Sequence, residues 1–424
     1  MLTVLRQRDF ALLWFAGLIS LMGDWMLIVA LPAVVYELTG SPLATGGILI
    51  ANRLPAFLVG SVAGVFVDRW DRKRTMVIAN LVRAPVLLLL LLVDSAERIW
   101  IAYIVAAVLS LASQFFRPAE NALLPRLVGD EHLIPANALN ALNDNLSRLL
   151  GPAVGGLLVV WLGLGGVAVV DAASFLVAAA MIALIATRTR PEPATSDSED
   201  APDLGRRWAS LWEEWRAGLR LIRTNAVLRV VFAVIAISSI GEGVLSSVFW
   251  VYIDQALRGG PQEGSWLISA QAIGGVLGAI VVGSRGTTRS PIFLLGWGAI
   301  GTGFFDLLTF NYPAYVPGVW LGIVFMAVVG IPVTAFGTGY TTAIQTEAGD
   351  AFRGRVFGAL NATAALLMIA GALIAGFATE RVGAVTILTI DSLAYMAGGV
   401  FALVTLDGTR RVLESKVRAK RDAT

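Results

Sequence analysis

No cysteine occurs in the 424 residues, and there is a single histidine, His132. Without thiols there are no disulfides and no thiolate metal ligands, and one histidine in a polar loop gives no basis for a metal centre or a histidine relay. Charge is scarce too: Asp, Glu, Lys and Arg make up 15% of the chain. No Gly-x-x-x-x-Gly-Lys-Ser/Thr loop is present, so ATP is not the expected energy source. No loop assembles paired carboxylates for hydrolysis, and an enzyme is not expected. What is abundant is apolar. Hydrophobic residues make up 57% of the chain, and the mean hydropathy of +0.75 lies far above that of water-soluble domains. The alternation of a membrane barrel is missing, which leaves helices as the way to satisfy the backbone in lipid.

Apolar runs predict spans at 10–36, 43–67, 75–93, 99–119, 137–161 and 167–187, and again at 226–253, 264–283, 290–310, 314–343, 354–378 and 382–406. The first run is too long for a signal-peptide core and reads as a retained helix. Loops placed inside by a cytoplasmic N-terminus carry Arg69, Arg72, Lys73 and Arg74, then Arg126, Arg188 to Arg229, Arg285, Arg289, Arg353, Arg355 and the tail from Arg410. The opposite loops hold only Arg98, Arg258 and Arg381. This asymmetry predicts both termini on the cytoplasmic side of the inner membrane. The expected organisation is a six-helix bundle at 1–187, a cytoplasmic linker with an amphipathic helix at 188–225, a second bundle at 226–406 and a basic tail at 407–424. Trp208, Leu211, Trp212, Trp215, Leu219 and Ile222 recur at helical spacing, as expected of a helix lying in the membrane interface.

The two halves correspond at an offset of about 215 to 220 residues, as in a parallel repeat. Gly23-Asp24 matches Gly241-Glu242, Ala141-Leu142-Asn143 matches Ala359-Leu360-Asn361, and Asp171-Ala-Ala-Ser-Phe175 matches Asp391-Ser-Leu-Ala-Tyr395. Such a repeat is an alternating-access architecture with its substrate site near the bilayer midplane, and it points to transport.

Gly64, Asp68, Arg69, Arg72 and Lys73 or Arg74 resemble the loop motif between the second and third helices of the major facilitator superfamily, with Asp71 where a second glycine is usual. Gly151-Pro152-Ala-Val-Gly155-Gly156 is similar to that superfamily's antiporter motif, with Ala138 and Ser147 at upstream small-residue positions. Gly23-Asp24, Arg53 with Pro55, and Pro118-Ala-Glu-Asn-Ala-Leu-Leu-Pro125-Arg-Leu-Val128 resemble the macrolide-efflux-like, drug:proton antiporter branch. The resemblance implies an all-α membrane protein of twelve transmembrane helices in two pseudo-symmetric bundles. It implies export of hydrophobic or amphipathic small molecules in exchange for protons, with no cofactor beyond the proton gradient. Relatives in the branch export siderophores or move lysophospholipids, and both remain alternatives, as does a non-transporting sensor. A monomer among membrane lipids, with no nucleic-acid partner, is expected.

Midplane charge nominates the site. A charge at the bilayer centre costs on the order of 2.5–3.5 kcal/mol on insertion scales, so Asp24 needs compensation. Arg53 reaches a similar depth and is the expected ion-pair partner; Arg83 is a second, able to attract an anionic head group or to pair with Asp24. Glu242 occupies the equivalent depth in the second half, where the counterpart of Arg53 falls near uncharged Gln271. An acid with no cationic partner in low dielectric favours its neutral form, making Glu242, with Asp24, the proton-coupling candidate. Asp306 is ambiguous and could face outer water. Asn140, Asp144 and Arg148 form one helical stripe in which Asp144 and Arg148 are expected to pair and Asn140 to line the pathway. Trp25 and Trp250 could wall it. Gly151, Gly155 and Gly156 allow close helix contact and Pro152 a bend. Asp68 is expected to be a cytoplasmic latch, paired with Arg69 or Arg72 and facing the start of the eleventh helix near Gly354.

Overall fold

The computed structural model describes residues 4–187, 204–285, 290–348 and 350–421; within these, side chains at 60–62, 64–65, 68–69, 130, 134, 204–212, 214, 285, 350–353 and 407–421 are outside the description. The long helices are α1 (Arg8–Thr39), α2 (Pro42–Arg69), α3 (Arg72–Leu88), α4 (Ile99–Val128), α5 (Leu133–Ala183), α6 (Leu204–Thr224), α7 (Ala226–Gln255), α8 (Pro261–Arg285), α9 (Pro291–Asn311), α10 (Trp320–Glu347), α11 (Asp350–Val382) and α12 (Ala384–Arg421). No strand occurs among the described residues.

Local chemistry sets the joints. Gly40 ends α1 in the left-handed region at φ 60°, and the Ser41 hydroxyl accepts from the Ala44 amide to cap α2. Asp71 caps α3 by accepting from the Arg74 amide at 2.9 Å. Its φ of −66° needs no glycine, so the departure from the usual motif exchanges a flexible turn for a capped one. The fifth and sixth predicted spans form one 51-residue helix, α5, whose single non-helical residue is Gly163 at φ 66° and ψ −174°. Straight, 51 residues would extend roughly 77 Å, against a hydrocarbon core of about 30 Å. The break at Gly163 therefore divides α5 into two spans, and with the ten other long apolar helices this makes twelve.

The chain forms two compact units, one of residues 1–210 with 249–269 and one of 211–248 with 270–424. In the first unit α1 packs along α5, α2 against α4, and α3 against both α4 and α5. Its core joins Ala30, Val35, Leu87, Ala102, Val105, Val167 and Phe175. Arg72 and Lys73 tie the start of α3 to its neighbours, donating to the carbonyls of Ala122 at 2.8 Å and Ile185 at 2.7 Å. In the second unit α9 lies between α10 and α12. The predicted linker 188–203 is outside the described residues. The amphipathic stretch after it is helical as expected, and the described end of its apolar face meets protein. Ile222 is buried, Trp215 and Leu219 pack on the core of the second unit, and Gly218 approaches the Arg355 carbonyl and Ala359 of α11.

Candidate transport site

Within the first unit, helical spacing places polar residues of four helices around one cavity. Gly17, Ser20 and Asp24 share a face of α1; Ser113, Arg117 and Glu120 come from α4; Asn140, Asn143 and Asp144 come from α5; and Arg83 enters from α3. The cavity is about 100 Å³, below the roughly 300–1,000 Å³ of drug-sized pockets, so it holds water or one polar part of a ligand.

Arg83 is the best-held charge in it. Its guanidinium donates to Ser113 Oγ at 2.7 Å and lies over two aromatic faces, Phe116 at 5.2 Å and Phe175 at 5.1 Å. Both rings offer their negative face to the cation in a water-poor setting. Asp24 acts electrostatically with Arg83 and Arg117. Arg53 is exposed, and no ion pair joins it to Asp24. The expected Asp24–Arg53 pair is thus replaced by Asp24 with Arg83 and Arg117. The reason is angular: position along a span fixes depth, but only packing fixes which side of a helix looks inward.

The expected Asp144–Arg148 pair is also absent. Asp144 lines the cavity while the Arg148 guanidinium lies 5.8 Å from the Trp25 ring centroid. Asn140 lines the cavity as expected. Gly151 and Gly155 seat α5 against α1: a Cβ at Gly155 would come 2.7 Å from Met26 Cα, and one at Gly151 would lie 3.0 Å from the Met22 carbonyl. Pro152 is buried in an α5 that stays helical around it, and Gly156 abuts the Ser265 side chain. Trp250 is buried, with Gly264 against its ring. It is therefore a packing residue, and no lining role is visible. Gln271 is half-buried, its carbonyl approached by Gly330. Gly64, Asp68 and Arg69 lie in α2, but their side chains, and with them the latch, are outside the described residues.

In the second unit Glu242 is exposed, where a desolvated acid was expected. The more enclosed acids beside it are Asp306 and Asp391, and each interacts electrostatically with Glu242. Asp306 also interacts with Asp391, which places it in this acid group. Among the described residues, no cation figures among the charges acting on Asp306 or Asp391.

Four charged residues had not been singled out: Arg117 and Glu120 in the first unit, and Asp171 and Asp391. The last two were visible as matching positions of the repeat. Each seats against the glycine that precedes the midplane acid of its half. A methyl at Gly23 would run into Asp171 Oδ1 and lie 2.6 Å from its Cγ; one at Gly241 would run into Asp391 Oδ1 and lie 3.0 Å from its Cγ.

Twelve apolar spans, a sequence that repeats once as two halves of six helices, and buried charge around a small polar cavity define a multi-pass membrane transporter. The chain belongs to the major facilitator superfamily, matching its transmembrane secretion effector family over residues 1–417. It is 28% identical over 417 residues to the multidrug efflux pump Tap of Mycolicibacterium fortuitum, covering 95% of this chain and 97% of that protein. It is 25% identical over 386 residues to macrolide efflux protein A of Streptococcus pyogenes, covering 89% and 91%. The crystal structure of nucleoside transporter NupG shares the fold with a TM-score of 0.73 at 14% identity, covering 94% of this chain and 99% of that one.

Proposed function

We propose that this protein exports hydrophobic or amphipathic small molecules in exchange for protons, by alternating access across the inner membrane. The observation that carries the reading is the charge imbalance of one cavity: three carboxyls, Asp24, Glu120 and Asp144, face two guanidiniums, Arg83 and Arg117. An uncompensated acid in low dielectric is stabilised by a proton or by a cationic group of a ligand. Mutual exclusion of the two is the physical basis of exchange, because each occupant biases the conformational equilibrium differently. Glu242, with Asp306 and Asp391, gives the second half a group of acids of its own. The efflux activities named for Tap and macrolide efflux protein A agree with small-molecule export. The energy source is the proton gradient, with no other cofactor, and the functional unit is a monomer in lipid with both termini cytoplasmic. Asp68, Arg69 and Arg72, with the glycines against α1, serve as the conformational gate.

A lipid-moving reading needs Arg53 and Arg83 on one phosphate. Arg53 is exposed and outside the cavity, while Arg83 is already stacked and hydrogen-bonded. In everted vesicles, Asp24→Asn and Glu242→Gln are each expected to abolish uptake of an amphipathic cationic dye driven by a pH gradient. Full gradient-driven uptake by both variants would sink the reading.

A further inference from the structure

Asp171 has no part in the cavity lining, yet it is a completely buried carboxyl. One oxygen, Oδ1, accepts from Ser174 Oγ at 2.9 Å. The other, Oδ2, is buried with no hydrogen-bond partner. A bare carboxylate oxygen in that position carries the full cost of desolvation, whereas a proton on it makes the group neutral. The charged groups acting on Asp171 are Asp24 from α1 and Arg83 from α3. From α4, Arg117 and Glu120 act on Arg83. Asp24 itself opens onto the cavity, and Asp171 is seated against Gly23, the residue before it.

The seat for Asp171 is built. Gly23, the residue before Asp24, is the only amino acid that leaves room for its carboxyl. The second unit repeats the arrangement with Gly241 before Glu242 and Asp391 opposite. The duplication matters because the rest of the surroundings differ: Ser174 and Phe175 in one half are Ala394 and Tyr395 in the other. A glycine, an acid after it and an aspartate across from it are what the two halves share.

We propose that Asp171 is a proton-holding partner of Asp24: it carries a proton on its unbonded oxygen that is released as pH rises, and the charge on Asp24 sets how tightly that proton is held. Two like charges that act on each other in low dielectric disfavour the doubly ionised state, even with Arg83 acting on both, so protonation of Asp171 depends on the charge of Asp24. Its use in transport rests on the exchange reading above; its existence does not.

The test is infrared titration of the purified protein in lipid, with isotope-labelled aspartate to identify protonated aspartate carbonyls. A band is expected that fades with rising pH, is missing in Asp171→Asn, and shifts its midpoint by about one pH unit or more in Asp24→Asn. Ser174→Ala keeps both carboxyls and removes one hydroxyl, and should move the same midpoint; it serves if Asp171→Asn does not fold. A band that is missing in Asp171→Asn but persists at every pH in the wild type identifies Asp171 as a permanently neutral structural acid and overturns the proposal. No band in the wild type, or a midpoint unmoved in both Asp24→Asn and Ser174→Ala, overturns it as well. If the band titrates as expected but dye uptake ignores the pH gradient, the exchange reading fails and the pair stands.

Discussion

A missing methyl group at Gly23 is what admits a carboxylate to the centre of the first bundle. Restoring it as Gly23→Ala forces Asp171 Oδ1 out of its seat, and overpacking of this kind costs about 1–3 kcal/mol. The expected outcome is a clear fall in the thermal unfolding midpoint in detergent, with Gly241→Ala behaving likewise because a methyl there meets Asp391. Arginine at 83 is equally specific. Lysine would keep the charge but lose the planar fork and the stacking on Phe116 and Phe175. Arg83→Lys is expected to slow efflux about tenfold or more, equivalent to ~1.4 kcal/mol. Exposed Arg53→Lys should leave efflux within about twofold, well under 1 kcal/mol on the same scale. Dye efflux from cells expressing each variant at matched levels separates the two.

Among the helices, α5 and α6 show what packing adds to periodicity. The φ of 66° and ψ of −174° at Gly163 lie in a region essentially reserved for glycine, so Gly163→Ala should cost roughly 1–3 kcal/mol and lower the unfolding midpoint. For α3, Asp71→Ala removes the cap and should cost about 1 kcal/mol, while Asp71→Gly costs a few tenths. Spans, repeat and small-residue contacts were legible because each writes a period or a composition into consecutive residues. The partners of the charges were not. Asp24 and Arg53 share a depth, yet Arg53 is exposed and is not among the charges acting on Asp24, since azimuth depends on neighbours distant in sequence. Asp144 and Arg148 have the spacing of a helical pair but find different surroundings in the cavity and over Trp25. Asp171 and Asp391 could be read as markers of duplication, but their proximity to Asp24 and Glu242 exists only across packed helices. The apolar stripe of α6 fits lipid or protein equally well by pattern, and α11 decides the matter.

At the level of the whole molecule, the repeat has kept its acids and let its cations diverge. Two arginines act on Asp24, whereas among the described residues no cation acts on Asp306 or Asp391. The two halves are therefore expected to respond differently to pH, which infrared titration of the carboxyl groups in purified Asp24→Asn and Glu242→Gln proteins would display as two distinct profiles. The cysteine-free chain is also a ready template for topology. Ala96→Cys, in an exposed turn, should react with a membrane-impermeant maleimide added outside intact cells, and Ser284→Cys should not. The reverse pattern would invert the proposed orientation. The break at Gly163 bears finally on how the protein is made. Residues 149–170 contain no charged side chain, so the last turns of the leading half of α5, its hinge and the start of the returning half can leave the translocon as one hairpin. No ion has to be dragged through the hydrocarbon for that turn to reach the far side.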